Sequence, residues 1–302
     1  MPRNLVRRLG SHPRVIAILQ AILVVSLWSS SWVLIKFGLR DMPPLIFAGL
    51  RYFVAFLVLV PFAFSRSNLE ALRGLTRRPW LLLTALGLLM YMLAPGAQYI
   101  ALLYLPAVTT MLLFTFSTVS VALLSGMLLR ERPTWLQWCG IVAALFGGYL
   151  YFHPVHLPMR QVVGILVVLV SMLSYSLAAI LGRGIARSRV ISPLLITVVS
   201  MGAGSAVLLA GGLIVEGLPS ISLRDWMIIL WLSVVNTSFT FVLWNRTLRT
   251  LTAVESNVIT NAMLAEIAVL AWLFLGERLM FLDVTGLGLV IVGAVMVQLR
   301  GR

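Results

Sequence analysis

Long apolar segments separated by short polar ones run through the whole sequence. We number them runs 1 to 10, and they cover residues 15–39, 45–64, 80–103, 108–129, 136–152, 162–182, 193–215, 226–248, 253–275 and 282–297. An apolar segment of about 20 residues is long enough to cross a ~30 Å hydrocarbon layer as a helix. The strands of a membrane barrel would instead be short and alternating. The pattern therefore predicts an all-α integral membrane protein with ten transmembrane helices.

The second half of the chain repeats features of the first half. Three pairs of short motifs recur 146 residues apart: Glu131-Arg132 and Glu277-Arg278, Gly140 with Gly147 and Gly286 with Gly293, and Ala107-Val108 and Ala253-Val254. We therefore predict two copies of one unit, at residues 1–152 and 153–302. Each copy holds five runs, an odd number, so the second copy is expected to be inverted relative to the first, as in many secondary transporters.

Composition and charge agree with a membrane protein. The chain is 61% hydrophobic and 11% charged, too apolar for a soluble domain of this size. The formal charge of +14 does not indicate nucleic-acid binding, because the arginines are spread between the runs. Seventeen of the 23 basic residues lie in the two tails and in every second loop, five lie in the other loops, and Arg51 lies inside run 2. The positive-inside rule then predicts that both termini are cytoplasmic.

The sequence offers few groups for catalysis or metal binding. Cys139 is the single cysteine, and the three histidines lie in tails or loops. There is no phosphate-binding loop of the G-x-x-x-x-G-K-[ST] type. We therefore predict no metal, no cofactor and no enzymatic activity. A lipid-modifying membrane enzyme is disfavoured because no reactive cluster occurs near an interface, and a channel is disfavoured because no ring of pore charges is evident.

Several motifs together resemble a known family. Run 4 ends in Leu-Leu-Arg-Glu-Arg at 128–132, run 9 ends in Leu-Gly-Glu-Arg at 275–278, and run 1 carries Trp28, Trp32 and Lys36. With Arg51 and the paired glycines, this ordered set resembles the EamA family of the drug/metabolite transporter superfamily. The resemblance implies a bacterial inner-membrane exporter of amino acids or related metabolites. Run 9 departs from the family, because Ile267 follows Glu266 where many members have proline.

Run 8 presents the best candidate for a substrate-contacting face. Ser233, Asn236, Thr240 and Trp244 recur at three- and four-residue steps and share one side of a helix. The matching positions in run 3 include Gln98, and Tyr91 lies beside them. One interpretation is a cavity wall with hydrogen-bonding groups and aromatic faces. The alternative is interhelical packing, in which Asn and Thr simply bind neighbouring helices.

Polar and aromatic residues of three other runs are further candidates. Trp28 and Trp32 could stack on a flat substrate, although packing is the alternative, and Lys36 is expected to reach the outer interface. The remaining candidates are Ser174 and Tyr175 in run 6, and Asn257 and Asn261 in run 9. The seven-residue glycine spacing in runs 5 and 10 indicates close helix packing, within a repeat or at the seam of a homodimer.

Two charged residues lie inside the predicted membrane core. Helix rise places Arg51 about 10 Å from the start of run 2 and Glu266 about 21 Å from Thr252, which puts both at comparable depth. We predict an Arg51–Glu266 ion pair, or a Glu266 that couples transport to protons. Glu255 follows Thr252 by three residues and is predicted to complete a capping box.

These features predict a secondary transporter that exports a small polar metabolite by alternating access. Amino acids, in particular aromatic or other apolar ones, are the first choice of substrate. Sugars, nucleosides and cationic drugs are the alternatives. The shortage of buried carboxylates favours facilitated diffusion over proton exchange.

Overall fold

The computed structural model describes residues 13–63, 66–129, 134–153, 158–187 and 191–299, and no strand occurs among them. In chain order, the helices of the runs are Pro13–Gly38, Pro44–Ala63, Arg77–Tyr104, Ala107–Thr115 with Ser117–Leu129, Trp135–Tyr151, Met159–Arg187, Pro193–Glu216, Leu223–Thr247, Ala253–Leu275 and Phe281–Gln298. A short helix, Arg66–Arg73, joins runs 2 and 3.

Most of the predicted runs are helices long enough for a bilayer. Within the described residues, nine helices are long and apolar enough to cross a membrane. The helix of run 5, Trp135–Tyr151, has 17 residues and spans about 26 Å at 1.5 Å per residue. Large apolar side chains such as Leu19, Phe62 and Ile214 remain exposed on the helix surfaces, as expected where lipid replaces water.

The runs pack in pairs that follow the repeat. Run 2 packs on run 7 and run 5 packs on run 10. Run 3 contacts runs 6 and 7, and the equivalent run 8 contacts runs 1 and 2. Run 1 likewise contacts run 9, as run 6 contacts run 4. The largest buried cluster joins both halves, since it includes Phe47, Tyr99 and Leu112 from the first half and Ile229 and Leu264 from the second.

Glycines bring runs 5 and 10 into backbone contact. A methyl group added to Gly140 would lie 2.7 Å from the Gly293 carbonyl oxygen, and one added to Gly147 would lie 2.7 Å from the Gly286 carbonyl oxygen. The glycine spacing seen in the sequence therefore serves packing between the two repeats of one chain. Packing within a repeat, or at the seam of a homodimer, does not describe these contacts.

Gly286 and Gly288 provide a direct test of this contact. Gly286→Ala would place a methyl group 2.6 Å from the Gly147 carbonyl oxygen, whereas Gly288 has no atom within 4 Å of the same position. We expect Gly286→Ala to lower the free energy of unfolding by about 1–3 kcal/mol. Thermal unfolding of the detergent-solubilised protein measures this, with Gly288→Ala as the control. Equal unfolding temperatures for the two variants would contradict the packing argument.

Candidate functional site

Runs 3 and 8 each contain a π-helical turn at their centre. Leu88–Leu93 and Val234–Phe239 are π-helical, and Leu88 and Val234 are 146 positions apart, as Gly140 and Gly286 are. Single π turns inside α-helices occur frequently at functional sites. The repeat therefore duplicates the backbone irregularity and places Tyr91 in one turn and Asn236 in the other.

The two π turns have different local causes. In run 3, Pro95 lies two residues after the turn and lacks an N–H donor, and the Ala94 N–H donates to the Leu89 carbonyl five residues earlier. In run 8, two side-chain hydroxyls reach back five residues: Thr237 Oγ1 donates to the Leu232 carbonyl at 2.8 Å and Ser238 Oγ donates to that of Ser233 at 3.0 Å. Different side chains thus stabilise the same displaced backbone.

Asn236 connects run 8 to run 1. Its amide nitrogen lies within hydrogen-bond distance of the Leu27 carbonyl, of Ser30 Oγ at 3.1 Å and of Ser31 Oγ at 2.9 Å. Asn236 is 1% exposed, and its carbonyl oxygen Oδ1 has no partner among the described residues. In this conformation the donor side of Asn236 serves interhelical packing.

The tryptophans of run 1 have separate surroundings. The Trp28 indole N–H donates to Thr240 Oγ1 at 3.0 Å, and its ring lies 5.3 Å from that of Trp244. Trp32 is buried and packs edge-on against Phe114 at 6.5 Å. The two rings therefore do not form one stacking surface. Thr240 and Trp244 of run 8 are brought to run 1 as the shared helix face predicts.

Arg51 lies at the centre of a group of polar aromatic residues. Its Nε donates to Thr237 Oγ1 at 3.2 Å, and its Nη1 donates to the Tyr99 hydroxyl at 3.1 Å. The guanidinium carbon lies 5.2 Å from the centre of the Tyr52 ring, which is itself 5.8 Å from the Tyr91 ring. Runs 2, 3 and 8 thus meet at this arginine, next to both π turns.

The structure does not bring Arg51 and Glu266 together. Glu266 Oε1 accepts a hydrogen bond from Ser26 Oγ at 3.2 Å, and Oε2 is buried without a partner among the described residues. The two ion pairs between described residues are Arg14–Glu255 and Arg224–Asp41. Equal depth in the membrane is not sufficient for contact, because the side chains leave their helices in different directions.

Among the described residues, the remaining candidates do not hydrogen-bond to Arg51. Asn261 donates to Gln298 Oε1 at 2.8 Å, and Gln298 in turn donates to Thr118, so Asn261 joins runs 9, 10 and 4. The side chain of Asn257 lies outside the described residues. Ser174 is buried in run 6, Tyr175 packs 5.0 Å from Phe114, and Gln98 is half-buried.

Three charged side chains cap helix ends of neighbouring runs: Lys36, Glu277 and Glu216. Lys36 Nζ donates to the carbonyls of Leu102 and Leu105 at 2.6 and 2.7 Å, so it caps the end of run 3. Glu277 accepts from the N–H groups of Ala107 and Val108 at 2.7 and 3.2 Å, and caps the start of run 4.

Glu216 caps the start of run 2 in the same manner. It accepts from the N–H groups of Leu45 and Ile46 at 3.1 and 2.9 Å. Gly217 and Gly276, which adjoin the two capping glutamates, have positive φ angles of 76° and 68°. Glycine reaches this backbone region without steric cost, and it turns each connection so that the carboxylate faces a neighbouring helix.

The capping box predicted at the start of run 9 is present. Thr252 Oγ1 accepts from the Glu255 N–H, and the Glu255 carboxylate accepts from the Thr252 N–H at 2.9 Å. The backbone hydrogen bond from Thr252, with further bonds from Arg14 and the Thr252 hydroxyl, lowers the pKa of Glu255 to about 2. Glu255 is therefore ionised at neutral pH and has a structural role.

Several residues of the site were not evident from sequence. Tyr99 and Thr237 bind Arg51, and Tyr52 packs against it. Tyr52 adjoins Arg51 in the chain, and that adjacency was an available signal. Tyr99 gave no such sequence signal, because a tyrosine in an apolar run usually indicates packing between helices.

The helices and the buried polar groups indicate the class of protein, and the comparison with known families then identifies the family. The described residues form a helical multi-pass membrane protein, duplicated in sequence, with buried polar groups at the centre of its runs. The model of the EamA-like transporter family matches residues 15–152 and again residues 162–299. The chain therefore belongs to the EamA-like transporter family.

Similar proteins agree with a membrane transporter. The chain is 26% identical over 282 residues to the uncharacterized transporter YoaV of Bacillus subtilis (strain 168), covering 90% of this chain and 93% of the relative. It is 30% identical over 174 residues to the uncharacterized transporter YvbV of the same organism, covering 54% and 52%. A crystal structure aligns with a TM-score of 0.67 at 17% identity, over 93% of this chain and 96% of the other, and shows the fold alone.

The carboxylate caps can be tested by comparing the two repeats. Glu70 occupies the position 146 residues before Glu216, but it is exposed and has no partner among the described residues. We expect Glu216→Ala to lower the free energy of unfolding by roughly 1.5–3 kcal/mol, because two N–H groups lose a charged acceptor. Thermal unfolding measures the loss, with Glu70→Ala as the matched control. A Glu216→Ala variant as stable as Glu70→Ala would show that the cap contributes nothing.

Proposed function

We propose that the protein is a secondary transporter that moves a small polar metabolite across a bacterial inner membrane. The proposed mechanism is alternating access, in which two inverted halves of five helices move around a site at the membrane midplane. The observation that carries the proposal is the pair of π turns. Leu88–Leu93 and Val234–Phe239 fall near the middle of their runs, where a substrate site between inverted halves is expected.

The glycine contacts support the inverted arrangement. The repeat relates Gly140 to Gly286 and Gly147 to Gly293, whereas the contacts pair Gly140 with Gly293 and Gly147 with Gly286. Such reciprocal pairing is expected when a two-fold axis passes between runs 5 and 10. With Trp135–Tyr151 counted as the tenth span, both termini lie on one side, which the arginine distribution assigns to the cytoplasm.

Amino acids with aromatic or other apolar side chains are the proposed substrates, and export is the proposed direction. The aromatic residues Trp28, Tyr91 and Trp244 supply flat apolar surfaces near polar groups of runs 3 and 8. Uptake into proteoliposomes tests the proposal, with a panel of radiolabelled amino acids, sugars, nucleosides and organic cations. Saturable uptake of one class supports a transporter of that class. Failure of the whole panel in a well-folded preparation contradicts the proposal.

Facilitated diffusion is the proposed energetics. Glu266 lies within run 9, where its carboxylate binds Ser26 and does not contact Arg51. Glu216, Glu255 and Glu277 all cap helix ends. We therefore expect saturable uptake that is unchanged by an imposed pH gradient.

The Glu266→Gln variant provides the matching test of coupling. Gln keeps an acceptor for the Ser26 hydroxyl and removes the titratable group, so we expect the uptake rate to stay within about twofold of wild type. Uptake is measured with and without a pH gradient. Gradient-driven uptake that Glu266→Gln abolishes would instead assign proton coupling to Glu266.

A further inference from the structure

We propose that Arg51 binds a carboxylate group of the transported molecule, and that the apolar or aromatic part of that molecule packs against the neighbouring tyrosines. The inference rests on the proposed transport function and narrows it to monocarboxylates with an apolar body. It depends on the contacts of Arg51, on the absence of a protein counter-ion and on the residues that surround the guanidinium group.

The guanidinium group is buried and incompletely bonded. Arg51 is 6% exposed. Nε and Nη1 donate to the hydroxyls of Thr237 and Tyr99, which are both neutral groups. No described residue accepts a hydrogen bond from Nη2. The Nη2 atom is also not completely buried. One donor nitrogen is therefore held in position and remains free for a ligand.

Among the described residues, no carboxylate compensates the charge of Arg51. Within the described residues, no Asp or Glu oxygen lies within 4.0 Å of its nitrogens. An arginine inside a membrane helix is unfavourable on insertion scales, and such residues usually pair or mark a substrate path. Because no described carboxylate pairs with Arg51, an anionic substrate completes the site.

The surroundings of Arg51 select the charge and the shape of the anion. Lys36, in the last turn of run 1, is held by two backbone carbonyls at the end of run 3. Arg51 carries one positive charge, so a monocarboxylate balances it better than a phosphate dianion.

Aromatic side chains extend the candidate site beyond the Arg51 guanidinium group. The rings of Tyr52 and Tyr91 lie 5.8 Å apart, and Tyr175 is close enough to Tyr52 for electrostatic interaction. All three are half-buried. They offer ring surface on which an aromatic or aliphatic group packs with favourable edge or face contacts.

The test compares a carboxylate with its neutral amide on the purified full-length protein in detergent. Binding of radiolabelled benzoate is measured by equilibrium dialysis, with benzamide as the competitor that keeps the ring and lacks the charge. The variants are Arg51→Gln, Arg51→Lys and the control Arg40→Gln, which removes an exposed cation that lies over the Phe37 ring. Thermal unfolding establishes that each variant is folded.

We expect wild type and Arg40→Gln to bind benzoate equally and benzamide poorly. Arg51→Gln should weaken benzoate binding by roughly tenfold to a hundredfold, and Arg51→Lys should lie between the two because it keeps the charge without the planar donor pair. Equal binding of benzoate and benzamide to wild type would overturn the inference, even if Arg51→Gln failed to fold. So would benzoate binding that Arg51→Gln leaves unchanged.

The outcome separates this inference from the proposed function. Transport of a neutral or cationic solute that Arg51→Gln does not alter would overturn the carboxylate inference and leave the transporter proposal standing. Charge-selective benzoate binding without transport of any solute in the panel would count against the transporter proposal alone.

Discussion

Inside a bilayer every backbone N–H and carbonyl must find a partner within the protein. This requirement accounts for the helices, and it also accounts for most of the polar side chains that interrupt the apolar runs. Hydroxyls of Ser and Thr bind carbonyls one turn back in seven of the ten runs, as Ser233 binds the Ile229 carbonyl at 2.6 Å. At the helix ends, where four N–H groups or carbonyls lack intrahelical partners, Glu216, Glu277 and Lys36 supply them from neighbouring runs.

The same requirement makes the π turns informative. A π turn shifts the hydrogen-bond register and leaves carbonyls that must be satisfied elsewhere. Thr237 and Ser238 satisfy two of them in run 8, and Ser171 of run 6 donates to the Ala94 carbonyl at 2.7 Å beside the turn of run 3. Runs 3 and 8 carry the irregularity at equivalent positions although different side chains stabilise it. This coincidence argues for a role of the backbone itself.

Sequence reasoning succeeded where periodicity and spacing decide the outcome. The apolar runs, the paired glycines and the capping box at Thr252 depend on contacts along one helix or on a repeated pattern. Sequence reasoning was less successful for contacts that depend on the direction in which a side chain leaves its helix. Arg51 and Glu266 have suitable depths, but Arg51 faces Tyr99 and Glu266 faces Ser26. No spacing rule in a single sequence fixes that angle once a π turn has displaced the helices that meet there.

The duplication produces a symmetric scaffold with an asymmetric site. The repeat offset of 146 residues places Thr197 of run 7 opposite Arg51 of run 2. Thr197 is buried and uncharged. The charge therefore occurs once, on one half, while the backbone irregularity occurs twice. Under the proposed alternating access, a ligand bound to Arg51 would stay with one half while its apolar part met first one wall and then the other.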